Sequence, residues 1–484
     1  MLNIKKIYKL VSITVSWLGI FIFIFLFPIQ IALAAPQVNI NVGASVVDVG
    51  FDIRDLTLFR ANYYLQSDET KNKTEALKQQ YEDEPVLDYI NGIDASQEGD
   101  FKKAIGYFSD ALKKDGNFAE AYVARGRVYS QWGDNHLKEA IRSYTEALEK
   151  PPKFAPDPSR FVEPLLGRAA VYRKLGKDKA ALDDLNRVIE QNPDFYDAYL
   201  ARADIYTKNN DTKDASPLGD RDLALKDLNT AIYLKPDYPA ALLARGLIQA
   251  ELEKDKEAIS NFYEVIQSDE ADAAAYYNDA YYYLGLIYLK LAQEKQAIQA
   301  FSSAVKPNEK GYDFKHYADA YYNRGLVYSK LENYAEAVED FTKALNYINK
   351  EILPNPTKID AYYYRGNANF ELWNLQQSVA DYTKVISLKP NFALAYYNRC
   401  ISYRFQNNFD KAIQDCKKAI LLDPKMDEAN NTLWAIYILK EGLKDGYIHI
   451  EIHKPTLWEY INSLFWNLVV RIGGFFISQQ VLQD

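Results

Sequence analysis

The chain opens with Lys5, Lys6 and Lys9, then runs uncharged and apolar from Leu10 to Phe27 until Pro28 stops it. A positive segment followed by a hydrophobic one is the order of an export signal. Ala32-Leu33-Ala34 places small residues where a signal peptidase reads, with a cut expected before Ala35. As a helix the run would be about 27 Å long, close to the ~30 Å hydrocarbon core, so a retained membrane anchor stands beside a cleaved signal peptide. Either way the lysines stay cytoplasmic. The rest of the chain is then expected to be membrane-bound or extracytoplasmic: secreted, periplasmic or lumenal. Residues 1–34 form this segment. Residues 35–84, β-prone from Val38 to Gly50 and polar around Ser67 to Thr74, read as a linker and lead-in helix.

From residue 85 one pattern of small, aromatic and polar positions recurs, which marks a repeat architecture. Its clearest copy is AYYNRGLVYSKLENYAEAVEDFTKAL, Ala320 to Leu345, with Gly325, Tyr328, Ala337, Phe341 and Ala344 at fixed offsets. The offsets return as Gly126, Tyr129, Ala140, Tyr144, Ala147 and Pro152, and again as Ala203, Tyr206, Ala224, Leu228, Ala231 and Pro236. A weaker first copy holds Gly92, Ala104, Phe108 and Ala111. The pattern resembles the tetratricopeptide repeat, a two-helix unit of 34 residues. In that family position 4 is a large aromatic, 8, 20 and 27 are small, 11 and 24 are aromatic and 32 is Pro.

Nine units fit, at 85–118, 119–154, 162–195, 196–238, 239–272, 278–311, 318–351, 359–392 and 393–426. Gln249 and Asn369 replace the aromatic at position 11, and Ser378 replaces a small apolar residue. Extra residues fall between helices at 155–161, 209–221 and 352–358, where a solenoid tolerates them. The resemblance implies an all-α, right-handed superhelical solenoid over 85–443, with helix Asp427 to Lys440, carrying Trp434, covering its last open face. Residues 444–484 follow as a separate segment.

Position 7, usually apolar in this family, is Arg in seven copies: Arg125, Arg168, Arg202, Arg245, Arg324, Arg365 and Arg399. Positions 7 and 23 face each other across an antiparallel hairpin. Position 23 is Asp184, Asp227, Asp340, Asp381 and Asp415 in five of these copies, and polar Ser143 and Asn261 in the other two. Where position 7 is Leu284, position 23 is Ala300. Such joint change predicts structural ion pairs within each hairpin: Arg168 with Asp184, Arg202 with Asp227, Arg324 with Asp340, Arg365 with Asp381, Arg399 with Asp415. A row of arginines forming an anion groove is the competing reading.

The resemblance also implies that the first helix of each unit lines a concave groove through positions 2, 5, 9, 12 and 13. Position 5 is aliphatic in the middle units and becomes Tyr282, Tyr322, Tyr363 and Tyr397 in the last four. Position 2 adds Asp279, Asp319 and Asp360, and position 13 adds Lys174, Lys208, Lys290 and Lys330. A tyrosine-lined groove with Lys290 and Lys330 would suit an extended peptide, because Tyr offers contact area and a hydroxyl at low entropic cost. The same tyrosines could instead pack helix on helix. No Lys or Arg stands at position 5, so the carboxylate clamp of chaperone-tail-binding relatives is not implied.

Composition narrows the chemistry. The 484 residues carry 57 Lys+Arg against 66 Asp+Glu, a net charge of −9 with no basic block, which argues against nucleic acid. The two Cys and four His leave little for a multi-zinc architecture. Cys400 and Cys416 fall at positions 8 and 24 of one hairpin, about a turn out of facing register, and buried thiols are expected rather than a disulfide. In Tyr447 to Lys454 an alternating segment would set His449, Glu451 and His453 on one face of a strand, a candidate metal face beside the plainer reading of a solvated amphipathic strand.

Thr456 and Glu459 form a capping box that opens a helix through about Ile472, rich in Trp and Phe and crossed by a polar stripe of Glu459, Ser463, Asn467 and Arg471. At about 24 Å it is short for a membrane crossing, which suits an interfacial helix or one docked on protein.

The expectation is a non-enzymatic protein–protein interaction scaffold or adaptor that binds a protein or peptide in its groove and uses no cofactor. Two alternatives stand beside it. One is a membrane-associated assembly factor acting through the C-terminal amphipathic helix. The other is a substrate-docking subunit of an enzyme complex, since 35–84 and 443–484 are too short to hold a catalytic domain.

Overall fold

The structure, a computed structural model, describes residues 84–153, 161–207, 219–270, 273–307, 316–348 and 357–444. The expected N-terminal signal or anchor, Lys208, the metal face at His449, Glu451 and His453, and the helix from Thr456 lie outside these residues. The described residues form nineteen α-helices, with no strand among them.

The helices pair in chain order into nine hairpins: α1 (Glu84–Gln97) with α2 (Phe101–Lys114), α3 (Ala119–Trp132) with α4 (Leu137–Leu148), α5 (Glu163–Lys174) with α6 (Asp178–Gln191), α7 (Tyr196–Tyr206) with α8 (Arg221–Leu234), α9 (Pro239–Glu251) with α10 (Asp255–Gln267), α11 (Tyr277–Lys290) with α12 (Glu294–Ala304), α13 (Tyr317–Lys330) with α14 (Tyr334–Ile348), α15 (Thr357–Glu371) with α16 (Leu375–Leu388), and α17 (Ala393–Phe405) with α18 (Phe409–Leu422). A last helix, α19 (Asp427–Lys444), packs on α18. Each helix packs chiefly on the helices before and after it, so the fold is an α-solenoid of helical hairpins held by nearest-neighbour contacts. None of these helices is long and apolar enough to cross a membrane.

The hairpins close because position 8 is small. A Cβ built on Gly285 would stand 2.5 Å from the Phe301 ring, and on Gly246 2.7 Å from Phe262. Gly92 with Phe108, Gly325 with Phe341 and Gly366 with Tyr382 repeat the arrangement. The aromatic at position 24 thus lies flat against the bare backbone of its partner helix, and all five rings are essentially fully buried. The turn between the helices imposes a second requirement. Position 15 takes a left-handed conformation in eight hairpins, at Gly99, Gly133 and Gly176 but also at Glu253, Ala292, Glu332, Trp373 and Asn407. Five non-glycine residues therefore sit where glycine is favoured.

One sequence expectation is corrected at this level. Cys400 and Cys416 are joined in a disulfide with their Cα atoms 5.4 Å apart, and no free cysteine exists. Positions 8 and 24 are not out of register. They are the two positions that touch in six other hairpins, and in the ninth a covalent bridge stands where those set glycine against an aromatic ring.

Close packing yields opposed outcomes for one substitution. Gly285→Ala should lower the urea midpoint by about 1–3 kcal/mol equivalent, because overpacking against Phe301 outweighs the gain in helix propensity. Gly106→Ala, inside α2 with nothing within 4 Å of the new methyl, should instead stabilise by roughly 0.5–1 kcal/mol. Equal effects at the two sites would contradict this account of the hairpin.

Candidate functional site

The arginines at position 7 meet their position-23 aspartates head on. Arg168 donates from Nε and Nη2 to Asp184 at 2.8 and 2.7 Å, and Arg324 to Asp340 at 2.7 Å from both. Arg202 with Asp227, Arg365 with Asp381 and Arg399 with Asp415 are bidentate in the same way. Each aspartate is buried and each guanidinium mostly so, with side-chain exposures of 3% for Asp340 and 12% for Arg324. Arg245 makes the same fork onto the amide oxygen of Asn261, and Arg125 bonds Ser143 and Glu146.

Sequence comparison within the chain did not reveal the third arm. Nη1 reaches back to position 25 of the preceding hairpin, where it donates to Thr145 from Arg168, Asn186 from Arg202, Asn229 from Arg245, Ser302 from Arg324, Thr342 from Arg365 and Thr383 from Arg399. Position 25 is always a short hydroxyl or amide at these sites, and that is the signal that could have been read. Tyrosine faces complete the node. Arg324 lies 5.4 Å from the Tyr321 ring and 5.9 Å from Tyr328, and Arg202 and Arg399 are flanked likewise by the tyrosines at positions 4 and 11. Leu284 breaks the series, and there Tyr263 at position 25 bonds Tyr288 hydroxyl to hydroxyl at 3.0 Å.

The proposed groove tyrosines are placed differently from expectation. Tyr282 is 1% exposed, stacked on His316 at 4.8 Å and lying against Tyr283. Tyr363 is 9% exposed, packed on Phe392 and Tyr382, and its hydroxyl accepts from Asn398. Tyr322 and Tyr397 are half-buried, with Tyr322 against Phe341 and Tyr364. Val123, Leu200 and Leu243 at the same position are also buried. Position 5 therefore fills the seam between hairpins, and Tyr282 and Tyr363 are not available to line an open groove.

Lys290 and Lys330 are likewise engaged within the array, pairing with Asp255 at 3.0 Å and Glu294 at 2.8 Å at the start of the preceding hairpin's second helix. Burial holds the Tyr282, Tyr322, Tyr363 and Tyr397 phenols above their usual range and pushes Tyr89 and Tyr364 up to about 12.

What the first-helix face does offer is concentrated at its C-terminal end. Phe370 at position 12 of α15, Trp373 in the following turn and Phe405 at position 13 of α17 are half-buried. Trp373 and Phe405 have ring centres 5.0 Å apart, and Phe370 and Phe405 5.8 Å. Arg404 lies 5.0 Å from the Phe405 ring, and among the described residues no carboxylate is within salt-bridge distance of it. Burial holds its guanidinium below the ordinary arginine range. An arginine with no carboxylate beside it among the described residues, lying against Phe405 of a three-ring cluster, has the composition of an interface anchor. The sequence reading passed over it because each residue alone looks like ordinary repeat filling.

Removing one partner of a buried pair strands the other charge, so Asp340→Ala or Arg324→Leu alone should destabilise by about 3–5 kcal/mol in chemical denaturation. The double variant Arg324→Leu/Asp340→Ala copies the native pairing of Leu284 with Ala300 and should lose markedly less than either single change. A double variant worse than both singles would refute the node. Alkaline titration tests the buried phenols. Their folded pKa is raised, so the stability they contribute is complete below the free value near 10. It is lost as pH climbs through about 12 for Tyr89 and Tyr364. Phenolate absorbance should therefore show a class of tyrosines that ionises only as the protein unfolds.

Comparison with known proteins agrees with this architecture. The tetratricopeptide repeat family matches residues 318–347 and 393–426, and further tetratricopeptide repeat families match 166–218 and 279–306. A DnaJ homolog subfamily C member 7 homolog of Dictyostelium discoideum is 25% identical over 160 residues, which is 31% of this chain and 29% of that protein. The chain thus matches less than a third of this relative's length.

Among solved structures, the C-terminal part of a TPR repeat-containing protein from Cytophaga hutchinsonii is 20% identical at a TM-score of 0.42, covering 55% of this chain and 98% of that one. YrrB, described as a TPR protein with an unusual peptide-binding site, is 21% identical at 0.36, covering 42% and 95%. MamA is 24% identical at 0.31, covering 38% and 96%. With one register running through nine stacked hairpins and family matches on several of them, the chain carries tetratricopeptide repeats.

Proposed function

We propose that this protein is a non-enzymatic interaction scaffold, exported across a membrane or anchored in it, that binds a protein or peptide partner on the face formed by its first helices. The observation that carries the proposal is a contrast between framework and face. Positions 7, 8, 23 and 24 are held by one repeated set of contacts. Positions 9 and 12 of the first helices change charge and size from unit to unit, through Arg127, Asp204, Leu247 and Asn367 at position 9 and Arg173, Leu289, Phe370 and Arg404 at position 12. A constant frame presenting a varied row is what selective recognition of an extended partner needs.

Half of that row is spent within the array: Asp204, Leu247, Leu289 and Asn367 are buried, and Arg173 pairs with Asp204. The cluster of Phe370, Trp373, Arg404 and Phe405 is the best-formed remaining anchor, and the absence of a carboxylate beside Arg404 among the described residues favours a partner that brings an acidic group beside an apolar side chain. Export rests on the N-terminal pattern of Lys5 to Ala34.

Arg404→Ala combined with Phe405→Ala should reduce retention of partner proteins from extracts of the native cell by about tenfold or more, which is about 1.4 kcal/mol. Circular dichroism should be unchanged, since no carboxylate among the described residues is stranded. If the variant and the wild-type chain retain the same proteins equally, this face is not the binding surface. Intact mass of protein recovered from its own cell gives the second result: a mature chain beginning at Ala35, or an uncleaved one sedimenting with membranes. An uncleaved chain in the soluble cytoplasmic fraction would overturn the export reading.

A further inference from the structure

The 34-residue register does not end at the ninth hairpin. Counted on from Ala393, it places Asp427 at position 1, Ala429 at 3, Trp434 at 8, Ile436 at 10 and Tyr437 at 11. Burial agrees: Ala429 and Ile436 are fully buried, as are Ala395 and Ser402 at positions 3 and 10 of the ninth unit. By register, α19 is the first helix of a tenth hairpin, packed by one face on α18.

Position 8 is where a first helix meets its own second helix, through glycine and an aromatic ring in six units and through the disulfide in the ninth. In α19 that position holds Trp434, 64% exposed, with half-buried Leu433 and Tyr437 beside it. A large apolar residue thus stands uncovered on the one face of α19 that the fold normally covers.

We propose that residues 456–472 of the same chain dock on the Trp434 face and serve as the second helix of the tenth hairpin. The chain itself supplies the argument. After α19 ends at Lys444, eleven residues, 445–455, precede Thr456. At about 3.3 Å each they reach roughly 36 Å, enough to return along a helix of about 27 Å. The capping box at Thr456 and Glu459 opens a run of about the length of the observed second helices, which have 11 to 15 residues. Its single polar stripe of Glu459, Ser463, Asn467 and Arg471 leaves Trp458, Leu464, Phe465, Trp466 and Val469 needing cover. Trp434 then takes the large role that position 24 has elsewhere, and the returning segment the small one. The docking is independent of partner binding at Arg404.

The test places p-benzoylphenylalanine at position 434 of the full-length chain, mixes isotope-labelled with unlabelled protein, and maps cross-links by mass spectrometry after irradiation. The expected result is a cross-link to residues 456–472 within one isotopic species. Mixed-isotope links, which mean a second copy, links to added phosphatidylglycerol vesicles, or no link to this segment would each overturn the proposal. A second measurement guards against disturbance by the probe. In Trp434→Ala, proteolytic cleavage within 456–472 should be faster by on the order of tenfold while cleavage within the nine hairpins is unchanged. Equal tail cleavage in both proteins would also overturn it.

Discussion

The stack is organised around the position-7 guanidinium. A single planar cation is held in three directions: two parallel hydrogen bonds into a buried carboxylate on its own hairpin, one bond back to the hairpin before, and tyrosine faces in contact with it. Arginine suits this role because its donors leave a rigid plane along fixed directions, whereas a lysine could not fork and reach back at once. Because one side chain fixes both the hairpin and its junction, the two geometries are coupled along the array. The 39 tyrosines of the sequence, about twice ordinary usage, follow partly from this arrangement. Positions 4 and 11 supply the faces that keep a half-buried cation in contact with something polarisable.

The junction between the fifth and sixth hairpins shows what happens without the node. There Leu284 stands in place of arginine within the largest apolar cluster of the described residues, which runs from Leu200 to Val327 and includes Phe262, Tyr282 and Phe301. Nearest-neighbour stacks require only that each interface be adequate, not that all be alike. A directional polar clamp and a broad apolar contact are two solutions to the same requirement, and the chain uses both. The disulfide of the ninth hairpin is a third, covalent where six other hairpins rely on glycine against an aromatic ring.

The sequence disclosed whatever repeats. Unit boundaries, the pairing of positions 7 and 23, and the small residues at 8 could all be read by comparing the chain with itself, because selection for one hairpin geometry acts on every copy. It was silent on what depends on the relative placement of neighbouring units. Position 5 could face a groove or a seam with the same residue in place, and burial of Tyr282 and Tyr363 decides for the seam. Lys290 and Lys330 could reach solvent or the preceding hairpin, and they take the hairpin. The facing of Cys400 and Cys416 was missed for a similar reason. An offset of 16 residues across a turn is close only when the turn has the left-handed residue at position 15, here Asn407.

Departures from the pattern separate into two kinds. Gln249 replaces an aromatic and bonds Asn261, Asn369 does the same and bonds Asp381, and Ser378 bonds Ser402 in the core. Each of these breaks finds a hydrogen-bond partner nearby, so it alters the packing without exposing an unmet group. Arg404 and Trp434 are different: one is a cation with no carboxylate at hand among the described residues, the other a large apolar side chain left in solvent on a face the fold otherwise covers. A buried or exposed misfit that nothing in the array relieves is costly to keep, and it persists only where something else relieves it. In a chain built from one repeated solution, such uncompensated exceptions are the positions at which folding alone no longer explains the residue.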